Sequence, residues 1–328
     1  MSLAHGRRGA HTVGERPKHR YQGMPMKSQL SALALLTALG GLTSPAAAAD
    51  LEEPGAFYGE AGSGIIPEDR GPFAIGWKTD VDIYDRRPRS PTMEVFYPSL
   101  PDGSFDDSGG PYPMIFFVQG GLVLVEDYFF LAEHLTSWGF VVALAHYPRD
   151  LAIYNPDLTL AALDRLEAAG DGNSFLQGGL DITKVGVGGH SLGGVVADMN
   201  IDVDPRFDAL LMMDTYPGDE NGAEFPGATL FVAGLDECGA TNEEKYAGFN
   251  TYDEPRAWAG VDGMSHYQFT ASDEEDAGEC APAIPIELAH EHLFSVTIPF
   301  VRSVLADDDT LFEHLLNPNE GIEVELDW

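Results

Sequence analysis

Ser191 stands in Gly189-His190-Ser191-Leu192-Gly193. Before it lies a short apolar run bounded by glycines, Lys184 to Gly188. After it, Gly194-Val195-Val196-Ala197 reads as a helix start. A serine between two glycines is common by chance, but here strand, turn and helix fall where a sharp turn requires them. In such a turn the serine takes a strained backbone conformation, and side chains at Gly189 or Gly193 would strike the neighbouring strand and helix. The Ser191 hydroxyl then projects at the top of the sheet, beside the positive end of the following helix. The chemistry expected there is nucleophilic attack on an acyl carbon; the bland reading is a glycine-rich structural turn.

A serine hydroxyl is a poor nucleophile at neutral pH, so it needs a general base and an acid that orients the base. Outside the leader and the Ser191 turn the histidines are His134, His146, His266, His290, His292 and His314. His134, His290, His292 and His314 fall in helical stretches and read as surface or packing residues. His290-Glu291-His292 lacks the spacing of a helical zinc pair, and no metal is expected. His146 precedes the serine at a strand end, where it lines the cleft at most. His266 follows the last strand in a loop, in Met264-Ser265-His266-Tyr267-Gln268-Phe269, the place for the base. For the acid there are two strand ends: Asp214 after Leu210-Leu211-Met212-Met213, and Asp236 with Glu237 after Phe231-Val232-Ala233-Gly234. The developing oxyanion needs two backbone donors, expected from Leu192 and, in the loop Gln119-Gly120-Gly121, from Gly121.

The elements that must position these residues follow from periodicity. Phe73 to Tyr84 and Thr92 to Tyr97 alternate as half-exposed edge strands do. Met114 to Val118, Val141 to Ala145, the run before Ser191, Ala209 to Met213, Thr229 to Ala233 and Arg256 to Val261 read as strands of a parallel sheet, most of them buried. Tyr128 to Trp138, Leu158 to Ala169, the stretch after Ser191 and Glu287 to Leu305 read as helices. The alternation predicts an α/β, doubly wound, mostly parallel sheet with antiparallel strands at its start. In such sheets chemistry gathers at the carboxyl ends of the strands, where Gln119, His146, Ser191, Asp214, Asp236 and the loop after Val261 all fall.

The sequence of 328 residues is strongly acidic, with a formal net charge of −35. Met26-Lys27, the apolar run Leu30 to Leu42 and Ala47-Ala48-Ala49 read as a secretory signal, so residues 1–49 are expected to be removed. Cleavage takes six of the 18 basic residues and one of the 53 acidic ones, leaving 12 and 52, a net charge of −40. Such a surface repels nucleic acid and anionic membranes, and solubility in salt explains it better than an acidic binding role. Residues 50–72 are expected as a flexible leader and 73–328 as one catalytic domain. Cys238 and Cys280, in an exported chain, are expected to be joined. That bridge would close a 42-residue interval and add about 4 kcal/mol at most. A secreted or periplasmic monomer without cofactor is expected.

Here the residues reach a family. The chain resembles the α/β-hydrolases, and within them platelet-activating-factor acetylhydrolases, chlorophyllases, dienelactone-hydrolase-like esterases and bacterial cutinase-like polyesterases. The resemblance runs from Phe73 to Leu316. It is most specific at Gly189-His190-Ser191-Leu192-Gly193-Gly194, at Asp204-Pro205-Arg206-Phe207 leading to Met213-Asp214, and at Ser265-His266-Tyr267-Gln268-Phe269. It implies an ester hydrolase with Ser191, Asp214 and His266 as its triad. In the acetylhydrolase and chlorophyllase groups the acid matches Asp214; in the cutinase-like group it lies one strand later, near Asp236. Asp236 comes one residue early for that second pattern, with Glu237 in its place, which favours Asp214. Gln119 stands where the resemblance leads one to expect histidine, a change that alters loop hydrogen bonding.

Two other readings compete: a hydrolase-fold protein that binds partners without catalysis, and a metalloenzyme using His290 and His292. Only 14 residues, Thr215 to Ala228, join two strands where a cap domain would sit. An open cleft is therefore expected, suited to short-chain esters, lipid esters or a polymer surface.

Overall fold

The computed structural model describes residues 56–84, 91–148, 156–170, 175–176, 178–217, 225–236, 240–271 and 282–328. Cys238, Cys280 and Glu237 lie outside the described residues, as does the proposed leader 1–49.

The strands are β1 (Ala56–Gly59), β2 (Ala74–Asp82), β3 (Thr92–Ser99), β4 (Tyr112–Val118), β5 (Val141–Ala145) and β6 (Leu180–His190), then β7 (Phe207–Met213), β8 (Ala228–Gly234), β9 (Arg256–Val261) and β10 (Ile322–Asp327). They form one sheet in the order β1-β2-β3-β5-β4-β6-β7-β8-β9-β10. The six strands from β5 to β9 in that order are parallel; β1, β2 and β3 at one edge and β10 at the other pair antiparallel. Every residue of β4, β5 and β8 is buried, as the continuous apolar runs require of strands covered on both faces.

The helices are α1 (Phe129–Ser137), α2 (Asp157–Gly170), α3 (Leu192–Val203), α4 (Asn242–Phe249), α5 (Ile286–Ala306) and α6 (Glu313–Leu316). They divide between the faces, because alternate side chains of each strand point to opposite sides. Ile115 and Phe117 of β4 join α1 (Leu131, Leu135) and α5 (Leu293, Val296, Phe300) in one core. Met114, Phe116 and Val118 join α2 (Leu163, Leu166), α3 (Val196, Ile201) and α4 (Phe249) in the other.

Two strands differ from the sequence expectation. The stretch 50–72 is not wholly a flexible leader: Ala56–Gly59 pairs with β2, and Arg70 bonds Glu133 of α1 at 2.8 Å. Its glycines hide the strand signal, since they weaken the alternation that marks strands elsewhere. β10, Ile-Glu-Val-Glu-Leu-Asp, adds a second antiparallel edge through six register pairs with β9. Its three carboxylates keep that edge from pairing with another sheet. Among the described residues no helix is long and apolar enough to cross a membrane.

Candidate active site

β6 ends at His190 and α3 begins at Leu192, so Ser191 alone makes the turn. Its backbone has φ 55° and ψ −125°, a conformation that costs a non-glycine residue about 1–3 kcal/mol. Three backbone-anchored bonds hold it: Ser191 N–H to Met213 C=O (3.0 Å), Gly194 N–H to Ser191 C=O (3.0 Å), and Thr215 Oγ1–H to Ser191 C=O (2.7 Å). The flanking glycines are required by close approach. A Cβ on Gly189 would lie 2.2 Å from Gly193 O, and one on Gly193 would lie 2.2 Å from Val118 O.

Leu192 is the first residue of α3, so its N–H has no carbonyl one turn back to bond. Gly121 lies against it: a Cβ on Gly121 would stand 2.5 Å from Leu192 Cδ1. The two expected backbone donors therefore come from adjacent residues. Their loop is braced from within. Buried Gln119 donates from Nε2 to Val123 O at 2.7 Å, bridging the loop. Gly120 N–H donates to Tyr128 Oη (2.9 Å), and Tyr128 Oη meets His190 Nδ1 at 2.8 Å. With one lone pair taken by Gly120, the Tyr128 proton is best used on His190 Nδ1, which leaves the His190 proton on Nε2. Burial first, then the neighbouring His266, holds His190 neutral, well below the usual imidazole range.

Asp214 caps β7 in a left-handed conformation, φ 45°. Its carboxylate is buried and takes three donors: Gly234 N–H (2.9 Å) and Lys245 Nζ (2.7 Å) on Oδ1, and His266 Nδ1 (2.5 Å) on Oδ2. Burial by itself would raise this carboxyl; the bonds and charges of His266 and Lys245 outweigh it and leave Asp214 below the usual carboxylate range. Such a group adds stability that is present above the unfolded carboxylate range and is lost only as pH falls through the lower folded value.

Of the candidate acids that the structure describes, Asp214 and Asp236, Asp214 is the one brought to His266. Asp236 sits half-buried beyond the end of β8. His266 opens a short 3-10 turn (His266–Phe269), and its ring lies 4.5 Å from that of His190, next to Ser191.

The remaining histidines are built into the packing or into other pairs. His134 stacks on Phe294 at 3.6 Å and bonds Pro67 O, and burial lowers it to about 4. His290 stacks on Phe130 at 3.8 Å and bonds Thr270 O. His292 is buried on α5, and His314 lies half-buried on α6. His146, at the end of β5, bonds the buried Glu94 at 2.8 Å, which raises it.

Sequence reasoning missed Lys245, Tyr128 and Glu94 as polar parts of this region, and missed α4 altogether. The helix carries two acids in its first turn and few apolar residues; its one sequence signal is the capping box Thr241-x-x-Glu244, closed by bonds in both directions. Nothing in the spacing marks Lys245 as buried.

The geometry orients His266 through Asp214 and sets its ring against that of His190, one residue before the strained turn at Ser191. No curated protein matches the chain. Residues 114–285, more than half of it, match the alpha/beta hydrolase family, and the chain belongs to that family.

Proposed function

We propose that the chain is a serine hydrolase that cleaves carboxylic esters through an acyl-enzyme. The observation that carries this reading is the buried Asp214 carboxylate bonded to His266 Nδ1, on a sheet end that also presents Ser191 in its strained turn. Asp214 fixes the proton of His266 on Nδ1, which leaves Nε2 free to take the Ser191 proton. Ser191 Oγ attacks the ester carbonyl, and the oxyanion is received by the Leu192 and Gly121 N–H groups. The imidazolium then gives its proton to the departing alcohol. Water repeats the sequence on the acyl group and frees Ser191 as the acid leaves.

The open cleft expected of a capless domain suits short-chain, lipid or polyester substrates. The reading is tested by a fluorophosphonate probe. It should label the wild-type protein once, at Ser191, and label the S191A variant not at all. A folded wild-type protein that stays unlabelled would instead be a hydrolase-fold binding protein. A series of soluble esters of increasing acyl length, run beside a polyester film, then ranks the substrate classes.

The same proposal includes export, removal of residues 1–49, and a Cys238–Cys280 bridge. It also includes adaptation to salt. With a net charge of −40 on residues 50–328, self-repulsion weakens the fold in dilute buffer, and salt screens it. The melting temperature should rise as salt increases from millimolar towards molar; a flat or falling curve would count against the adaptation.

A further inference from the structure

Lys245 has no solvent exposure at all. Its ammonium donates to Asp214 Oδ1 at 2.7 Å and to Gly234 O at 2.9 Å. Burying a lysine is expensive, and an apolar residue of similar volume is usually as good or better for stability. Packing between α4 and β8 therefore does not explain the charge, and its partner does.

Asp214 has two oxygens with different tasks. Oδ1 receives Gly234 N–H and Lys245, while Oδ2 receives His266. Two donors on Oδ1 stop the carboxylate from rotating about its bond, so Oδ2 stays aimed at the imidazole. The second effect is electrostatic. An isolated carboxylate would favour the imidazolium strongly; a buried ammonium on its other oxygen offsets part of that field. Among the described residues, four charged or titratable groups stand at or behind His266. Asp214 comes from the end of β7, His190 from the end of β6 with its ring at 4.5 Å, Tyr267 from the same turn at 5.6 Å, and Lys245 from α4 behind Asp214. His190 is held neutral and a phenol is neutral near pH 7. Among the described residues, the balance of charge at the base is thus set by Asp214 and Lys245.

We propose that Lys245 is a positioning residue of the hydrolytic reaction, which through Asp214 orients the base and extends its working range to lower pH. This rests on the reading of Ser191, His266 and Asp214 as the reacting set. Lys245 touches neither ester nor nucleophile, so its loss should fall on turnover and on the pH profile while ester binding is kept.

The test compares K245M, K245Q and K245R with wild type on one soluble ester, between about pH 5 and pH 9. K245M and K245Q should lose roughly ten- to a hundredfold in kcat with KM within about twofold, and the acid limb of their pH–rate profile should move up by about one pH unit. K245R keeps the charge, so its acid limb should stay at the wild-type position even where its turnover falls. Glutamine can still bond Asp214 and Gly234, so K245Q supplies the neutral variant if K245M does not fold. A folded neutral variant with the wild-type acid limb, or with its loss in KM, overturns the inference. The S191A variant separates this failure from that of the underlying reading. If S191A turns over the ester normally, the reacting set is wrong. If S191A is inactive and the limb of K245Q does not move, only the role of Lys245 falls.

Discussion

Replacing Ser191 by alanine is expected to lower ester turnover by roughly 10⁴- to 10⁶-fold, without a change in fold. The substitution removes one oxygen and nothing else. All three bonds that hold the turn run through the Ser191 backbone: to Met213 C=O, from Gly194 N–H, and from the Thr215 hydroxyl. Alanine carries the same Cβ through the same positive φ, so the strain of the turn is unchanged and stability should stay within about 0.5 kcal/mol. The two backbone donors proposed at Leu192 and Gly121 remain, and they should sustain the residual rate over that in water. Steady-state kinetics beside a thermal melt checks both halves. Activity above about a hundredth of wild type would rule out Ser191 as the nucleophile.

The central part of this arrangement is legible in the sequence because it is local. A turn between strand and helix needs glycines at fixed offsets, and Gly189 and Gly193 meet backbone atoms where a Cβ would sit. Buried strands advertise themselves as apolar runs; β5 and β9 have the limits expected from their residues alone. The elements that escape the sequence are those whose reason for existing lies elsewhere in the chain. β10 carries alternate acids and reads as a polar tail until β9 supplies its partner. The first half of α4, Asn242 to Lys245, is wholly polar, and its buried lysine makes sense only once Asp214 stands beside it. The acid illustrates the same point. Both Asp214 and Asp236 follow a buried strand, and the spacing favours Asp214 only through the one-residue offset of Asp236 from the cutinase-like pattern. The choice is made by the turn from His266 to Phe269, which delivers the imidazole to β7.

That geometry makes a sharp forecast for Asp214→Asn. The Oδ1 site accepts two hydrogen bonds, from Gly234 N–H and Lys245 Nζ. An asparagine must therefore place its carbonyl oxygen there, because an NH₂ group would face two donors and accept from neither. Its NH₂ then occupies the Oδ2 site and donates to His266 Nδ1. The imidazole is forced to carry its proton on Nε2, the nitrogen that has to accept from Ser191. Acylation should fall by roughly 10⁴-fold near neutral pH, with KM little changed, since the carboxylate touches the base and not the ester. Stability should fall as well. Lys245 would keep a buried charge with its anion gone, a loss of about 3–5 kcal/mol if the ammonium stays protonated and less if it gives up its proton. The D214N variant should thus be both slow and fragile, whereas D236N, changed at a half-buried residue beyond β8, should stay close to wild type in rate. Single-turnover acylation and thermal melts of the two variants decide it. A crippled D236N beside an active D214N would move the acid to the next strand, as in the cutinase-like arrangement.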